Sequence, residues 1–196
     1  MKNIGIYLYD QAEVLDFSGP FEVFTTASRV SGGENPFQAF LISEHGDEVT
    51  ARAGYQVRTD CSLQTHPPLD ALIVVGGVHT AELGKPAVID WIAQQAKSVP
   101  LVAAVCTGAF LLAKAGLLHG LTVTTHWEDQ ADLQAMFPDL QVVGDVRWVD
   151  AGNRVTSGGI SAGIDMSLHL VSRLHSLELA EKTARQMEFA WTRNSG

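Results

Sequence analysis

An α/β fold, with a mainly parallel sheet covered by helices on both faces, is what three features of this 196-residue sequence predict. Strand-like and helix-like segments alternate along the chain, the pattern of strands joined by crossover helices. Residues 69–75 (LDALIVV) and 101–105 (LVAAV) are near-continuous apolar runs, as central strands buried on both faces require. The second run ends on Cys106-Thr107-Gly108 and passes straight into a helical pattern, so a cysteine stands at a strand-to-helix switch.

Each element follows in order. Residues 4–8 (IGIYL) form the first strand, followed by a polar loop carrying Asp10, Glu13 and Asp16. The run LDFSGPFEVF at 15–24 opens a helix: Pro20 suits a first helical turn, and Phe21, Phe24 and Ala27 share a face. Residues 31–36 (SGGENP) are a turn, 37–43 the second strand, and 49–58 a hairpin about Ala53-Gly54. The strand at 69–75 ends on Gly76-Gly77, and Pro86 precedes a helix over 87–96. After the strand at 101–105, Ala109, Leu112, Ala113 and Ala115 form a short helix closed by Gly116. Residues 121–125 (LTVTT) are a short strand delivering His126, and a helix over 128–136 is stopped by Pro138. The runs 141–143 and 147–150 lead through the turn 151–153 into 154–157, a hairpin. The small-residue run 158–163 opens a long helix with Ile164, Leu168, Val171 and Leu174 on one side, and 177–191 reads as a final amphipathic helix.

Composition narrows the function. A chain with 46% hydrophobic and 18% charged residues builds one core, so a single domain over 1–196 is expected. A net charge of −9 argues against a nucleic-acid partner, which wants a basic face. No apolar run reaches the length of a membrane span, and the start of the chain reads as a strand rather than a signal peptide. Two cysteines without a disulfide framework suit a reducing cytoplasm. A small-molecule partner is therefore expected, with no nucleic acid and no membrane.

The chemistry gathers at Cys106. The turn projects its side chain out of the sheet like a nucleophile elbow, with the amides of Thr107 and Gly108 pointing into the same space. A helix N-terminus lowers a thiol's pKa, so Cys106 is the candidate nucleophile; the alternative is a small buried hydrophobe. Cys61 has no helix start beside it and reads as structural or incidental. Asp16 either caps the helix that follows or is an acid held at the mouth of the sheet, exchanging a proton with substrate. Gly76-Gly77 either makes a tight turn or lends an amide to an oxyanion-type hole, with the Thr107 amide as its second donor. His126 ends another strand on the rim where the strand ends of an open sheet gather, where it either orients Cys106 or is structural. His79 reads as a loop residue rather than a base. The helix after Gly158-Gly159 offers first-turn amides to an anion, or its small residues serve close packing against the elbow helix. No metal and no cofactor are expected.

Five stretches together resemble the ThiJ/PfpI superfamily, the class I glutamine amidotransferase-like group with a flavodoxin-like fold: 15–24, Val75-Gly76-Gly77, 105–113, Thr124-Thr125-His126-Trp127 and 156–165 (TSGGISAGID). The resemblance runs in order over essentially the whole chain and is nearest to the isonitrile hydratase branch and the amidotransferase-like domains of AraC-type regulators. It implies Cys106 as nucleophile and Asp16 as the acid beside it. Thr107 stands where the PfpI proteases carry a histidine, which argues against peptidase activity. No His-x-Glu pair follows the last strand, which argues against glutamine hydrolysis. The resemblance also implies a homodimer.

The reaction it implies is isonitrile hydration to an N-substituted formamide through a thioimidate-type intermediate. Cys106 attacks, Asp16 donates a proton and then activates water, and the Thr107 hydroxyl orients water or substrate. For Asp16 to donate, burial beside a thiolate must raise its pKa. Two alternatives use the same parts: a glyoxalase or deglycase acting on small aldehydes, in which His126 matters, and a non-catalytic ligand- or redox-sensing domain. The related regulators carry a helix-turn-helix region after this domain. The sequence read here has no basic extension, so DNA binding by that route is not expected.

Overall fold

The computed structural model describes residues 1–193; Asn194, Ser195 and Gly196, the end of the expected domain, lie outside the described residues. Strand β1 (Lys2–Tyr7) lies inside a seven-stranded sheet, paired in parallel with β2 (Phe37–Ser43) on one side and β6 (Ala71–Val74) on the other. Beyond β2 lies the short edge strand β5 (Cys61–Ser62). Beyond β6 come β7 (Leu101–Val105), β11 (Arg154–Ser157) and β10 (Trp148–Asp150), the last pairing antiparallel to β11 as the expected hairpin. The predicted hairpin near Ala53 is present as β3 (Val49–Thr50) and β4 (Gln56–Val57), a separate two-stranded ladder.

The central strands read as apolar because both their faces are covered. Ile4, Ile6, Leu72, Ile73, Val102 and Ala103 have no exposed surface. Helices α1 (Val14–Val30), α6 (Ala162–Leu174) and α7 (Leu177–Gln186) pack on one another as one layer, and α2 (Thr80–Leu83), α3 (Pro86–Gln95) and α4 (Gly108–Lys114) form the other. Connection handedness puts them on opposite faces. The chain leaves β1 sideways toward β2 but leaves β6 the other way toward β7, so right-handed crossovers land on opposite sides of the sheet. The neighbours β1 and β6 thus mark the point where the winding reverses, and a crevice opens above their C-terminal ends.

Several local expectations are corrected. Helix α1 begins at Val14, so Pro20 lies inside it rather than in its first turn. The loop before it is tied down: the Glu13 amide donates to the Gly76 carbonyl at 3.0 Å, so the helix starts as soon as the chain leaves that contact. Strand β8 (Thr122–Val123) pairs with β9 (Gln141–Val142) in a small sheet of its own, so the strand that delivers His126 is not part of the main rim. The helix expected over 128–136 is a 3-10 turn at Trp127–Asp129 followed by α5 (Gln130–Met136). His79 directly precedes the short helix α2. Helix α6 begins at Ala162, later than expected, because Ile160 takes a left-handed φ of 55°. Its small residue Gly163 meets Val105 of β7, not the elbow helix α4. Helix α7 stops at Gln186, not Trp191: Glu188 turns to φ 50°, and the Trp191 indole and Thr192 amide then donate to Asp165.

Candidate active site

Three strand ends and the start of α1 converge above the crevice. Asp16 comes from the first turn of α1, Gly76-Gly77 from the end of β6, Cys106-Thr107 from the end of β7, and Gly158-Gly159-Ile160 from the end of β11. Cys106 holds a left-handed backbone, φ 55°, a conformation that costs a non-glycine residue about 1–3 kcal/mol and persists only where neighbours enforce it. Both its backbone groups are held. Its amide donates to the carbonyls of Ser157 and Gly158 at 3.2 and 3.3 Å, and its carbonyl accepts from the Thr125 hydroxyl at 2.8 Å. The elbow is real, and the sulfur lies on the floor of a pocket of about 230 Å³.

Asp16 is fully buried behind that floor. Its Oδ2 accepts the Gly76 amide at 3.1 Å, its Oδ1 accepts the Ile160 amide at 3.2 Å, and its charge acts on the Cys106 thiol. It therefore does not cap its own helix, although it sits in the first turn; the residue preceding the helix, Glu13, makes no side-chain cap either. Burial pushes the Asp16 carboxyl up to about 7, opposed by the Gly76 amide and assisted by the charge of Glu13. The rise matches the expectation, with burial its largest cause.

The thiol departs from expectation. Burial, and then the negative charge of Asp16, push Cys106 well above the ordinary thiol range, outweighing the lowering influence of the Thr107 amide. The expected lowering by a helix N-terminus is outweighed by burial and by the charge of Asp16. Above about pH 7 the pair therefore holds one proton, on the sulfur, and below it the carboxyl is protonated as well.

The glycine amides are also placed differently from the expectation. Gly76 gives its N–H to Asp16, and Gly77 gives its N–H to the Thr107 hydroxyl at 2.9 Å. That hydroxyl in turn donates to the Gly77 carbonyl at 3.0 Å, so it is committed to the loop rather than turned toward water or substrate. Both glycines are sterically required: a Cβ on Gly76 would stand 2.6 Å from the Thr107 nitrogen, and Gly77, at φ 141°, abuts the Gln11 carbonyl. Neither amide is left over for an oxyanion. The first turn of α6 holds no free anion site either. Its Asp165 is buried against Arg147, with Nε to Oδ2 at 2.7 Å, and the Ile160 amide just ahead of it goes to Asp16.

His126 does reach the pocket, lining it beside Cys106 and Ile160. Its Nδ1 accepts the Glu128 amide at 3.4 Å and lies 3.4 Å from the Asp129 carboxylate. The ring lies over Gly159, where any Cβ would overlap it. His79 stays out of the pocket, with its ring centroid 4.4 Å from that of Phe110, and burial lowers its pKa. Cys61 sits at the sheet edge, away from this cluster, with its thiol raised by burial. Among the described residues, no group of three or more His, Cys, Asp or Glu is arranged to hold a metal ion.

Sequence reasoning missed Ile160, whose amide fixes Asp16, because a left-handed isoleucine leaves no local mark in the sequence. It also missed Glu13, Arg52 and Asp129 at the mouth. Those three sit on loops whose approach to Cys106 depends on the Ala12–Gly77 bridge and on the separate β8–β9 sheet.

A parallel α/β sheet with a strained cysteine elbow backed by a buried carboxylate defines a class of cysteine-centred flavodoxin-like proteins. The chain belongs to the DJ-1/PfpI family, whose model matches residues 2–173. It is 34% identical over 188 residues to the isonitrile hydratase of Pseudomonas putida, covering 95% of this chain and 78% of that protein. It is 32% identical over 193 residues to the HTH-type transcriptional regulator GbdR of Pseudomonas aeruginosa, covering 98% of this chain. The chain spans about half the length of that regulator, 52%. Among solved structures, a ThiJ/PfpI family protein from Pseudomonas syringae superposes with a TM-score of 0.85 at 26% identity, over 97% of this chain and 76% of that one. No described helix is long and apolar enough to cross a membrane.

Proposed function

We propose that this protein hydrates isonitriles to N-substituted formamides, with Cys106 as nucleophile and Asp16 as the acid–base group. The observation that carries this reading is the Cys106 thiol lining the pocket with the buried Asp16 carboxyl fixed beside it by the Gly76 and Ile160 amides. An isonitrile carbon must gain both a nucleophile and a proton, and this pair supplies both. Asp16 accepts the thiol proton and passes it to the isonitrile carbon as sulfur bonds to that carbon, giving R–N=CH–S–Cys106. Water then adds to the same carbon, and Asp16 takes one of its protons and passes it to the nitrogen. As R–NH–CH(OH)–S–Cys106 collapses, Asp16 takes the hydroxyl proton and returns it to the departing sulfur, leaving R–NH–CHO.

The committed amides support this chemistry over its rivals. Thiol addition to an aldehyde or an amide builds an oxyanion, which needs donors; Gly76 and Gly77 are committed elsewhere, so of the expected pair only the Thr107 amide remains. Addition to an isonitrile builds a neutral thioimidate, which needs none. A redox-sensing role calls for a ready thiolate, and the burial of Cys106 opposes one. The Thr107 hydroxyl serves by holding Gly77, and His126 by walling the pocket. A cytoplasmic homodimer acting on a small molecule completes the reading.

The test is turnover of a small alkyl isonitrile, read as formamide production against pH. The carboxylate must be ionised to accept the thiol proton, so kcat/KM rises with pH through a midpoint near 7. Asp16→Asn removes that rise and lowers kcat by about 10²–10⁴, the usual worth of a positioned acid–base group. Binding of the isonitrile without turnover would turn the reading toward a ligand-sensing domain.

A further inference from the structure

The pocket above Cys106 is charged in a way the hydration chemistry does not need. Its wall carries three carboxylates, Glu13, Glu128 and Asp129, against two basic groups, Arg52 and His126. Arg52 is spent on Glu13, with Nε to Oε2 at 3.9 Å, and His126 presents its Nδ1 to Asp129 and Glu128 at 3.4 and 3.7 Å. Even with His126 counted as a cation, negative charge prevails at the mouth, and fully buried Asp16 adds to it from below. The field reaches the reacting atom: the charge of Asp129 is among the influences raising the Cys106 thiol. The amides of Gly76, Gly77 and Ile160 are already paired and offer nothing to an anionic group.

We propose that Glu128 and Asp129 form a charge filter over Cys106, so that this site takes short uncharged or cationic substrates and rejects anionic ones such as carboxylate-bearing isonitriles. This deepens the hydration reading by naming its substrate class, but the filter acts on anything that approaches the sulfur. A carboxylate held several ångströms from an incoming anion, in a partly desolvated pocket, slows its approach by about tenfold or more. Salt screens that penalty. A pocket of about 230 Å³ also limits the substituent to a small group.

The filter is tested without any turnover, by alkylating the same sulfur with two reagents that differ in charge. Iodoacetamide and iodoacetate are compared on the intact protein, each rate divided by that for free cysteine under the same conditions, with Cys106 modification read by peptide mass. The expected result is a normalised preference for iodoacetamide of about tenfold or more, which shrinks as salt is added. Glu128→Lys reverses charge at an exposed position and should bring the ratio close to one; Asp129→Asn should lower it in part. Equal normalised rates in the unaltered protein, or a ratio that neither salt nor Glu128→Lys moves, overturns the filter. Failure of isonitrile turnover leaves this ratio untouched, so the two readings stand or fall separately. If turnover is present, an isonitrile carboxylate should show a lower kcat/KM than its neutral amide by a similar factor.

Discussion

Replacing Cys106 with alanine should lower isonitrile hydration by at least about four orders of magnitude, because loss of a covalent nucleophile removes the whole chemical route rather than one contribution to it. The fold should survive. The Cys106 side chain is small, it makes no disulfide, and its backbone is held by Ser157, Gly158 and Thr125 through main-chain atoms that alanine retains. Removing one buried sulfur from this floor should cost about 1 kcal/mol of stability. The check is formamide production alongside a denaturant unfolding curve. Activity within tenfold of the parent in a folded Cys106→Ala protein would remove the nucleophile from the account.

The largest effect on stability should come from Gly108→Ala, a substitution that a helix would ordinarily welcome. Gly108 opens α4 with no positive φ, so backbone strain is not the issue. Space is the issue. A Cβ at this position would overlap the carbonyl oxygen of Val74 and stand 3.0 Å from the carbonyl carbon of Val75, both main-chain atoms of the central sheet region. A strand paired on both sides cannot yield, so the elbow must lift, carrying Thr107 off Gly77 and the sulfur off Asp16. The expected cost is about 3 kcal/mol or more, which for a chain of this size lowers the melting temperature by roughly 10 °C. Gly116→Ala is the contrast: at φ 74° in open space it should cost only about 1 kcal/mol. A Gly108→Ala protein that melts with the parent would show that the elbow is not wedged against β6.

The parts of the fold that depend on burial were legible in the sequence. Runs such as 69–75 and 101–105 announce central strands because both faces are covered, and Cys106 at the end of such a run announces an elbow. Asp16 could be named but not placed. Its two amide partners, Gly76 and Ile160, are 60 and 144 residues away, so nothing local distinguishes a capping carboxylate from a buried acid. The Gly76-Gly77 pair announced an unusual backbone, yet not the destination of its amides. The thiol was misjudged for a related reason. A helix start is visible locally, whereas the opposing carboxylate and the desolvation exist only once α1 and β7 are packed together. His126 shows the converse: it reaches the pocket although its strand lies outside the main sheet, through a gap that Gly159 leaves open.

The account rests on Asp16 ionising before Cys106, and an infrared pH titration reads both partners at once through the S–H stretch and the carboxyl C=O band. Asp16→Asn and Cys106→Ala assign the bands. The predicted result is an S–H band that persists through neutral pH while the Asp16 carboxyl band disappears with a midpoint near 7. Loss of the S–H band below neutral pH, with Asp16 already ionised throughout, would mean a pre-formed thiolate and would contradict the account.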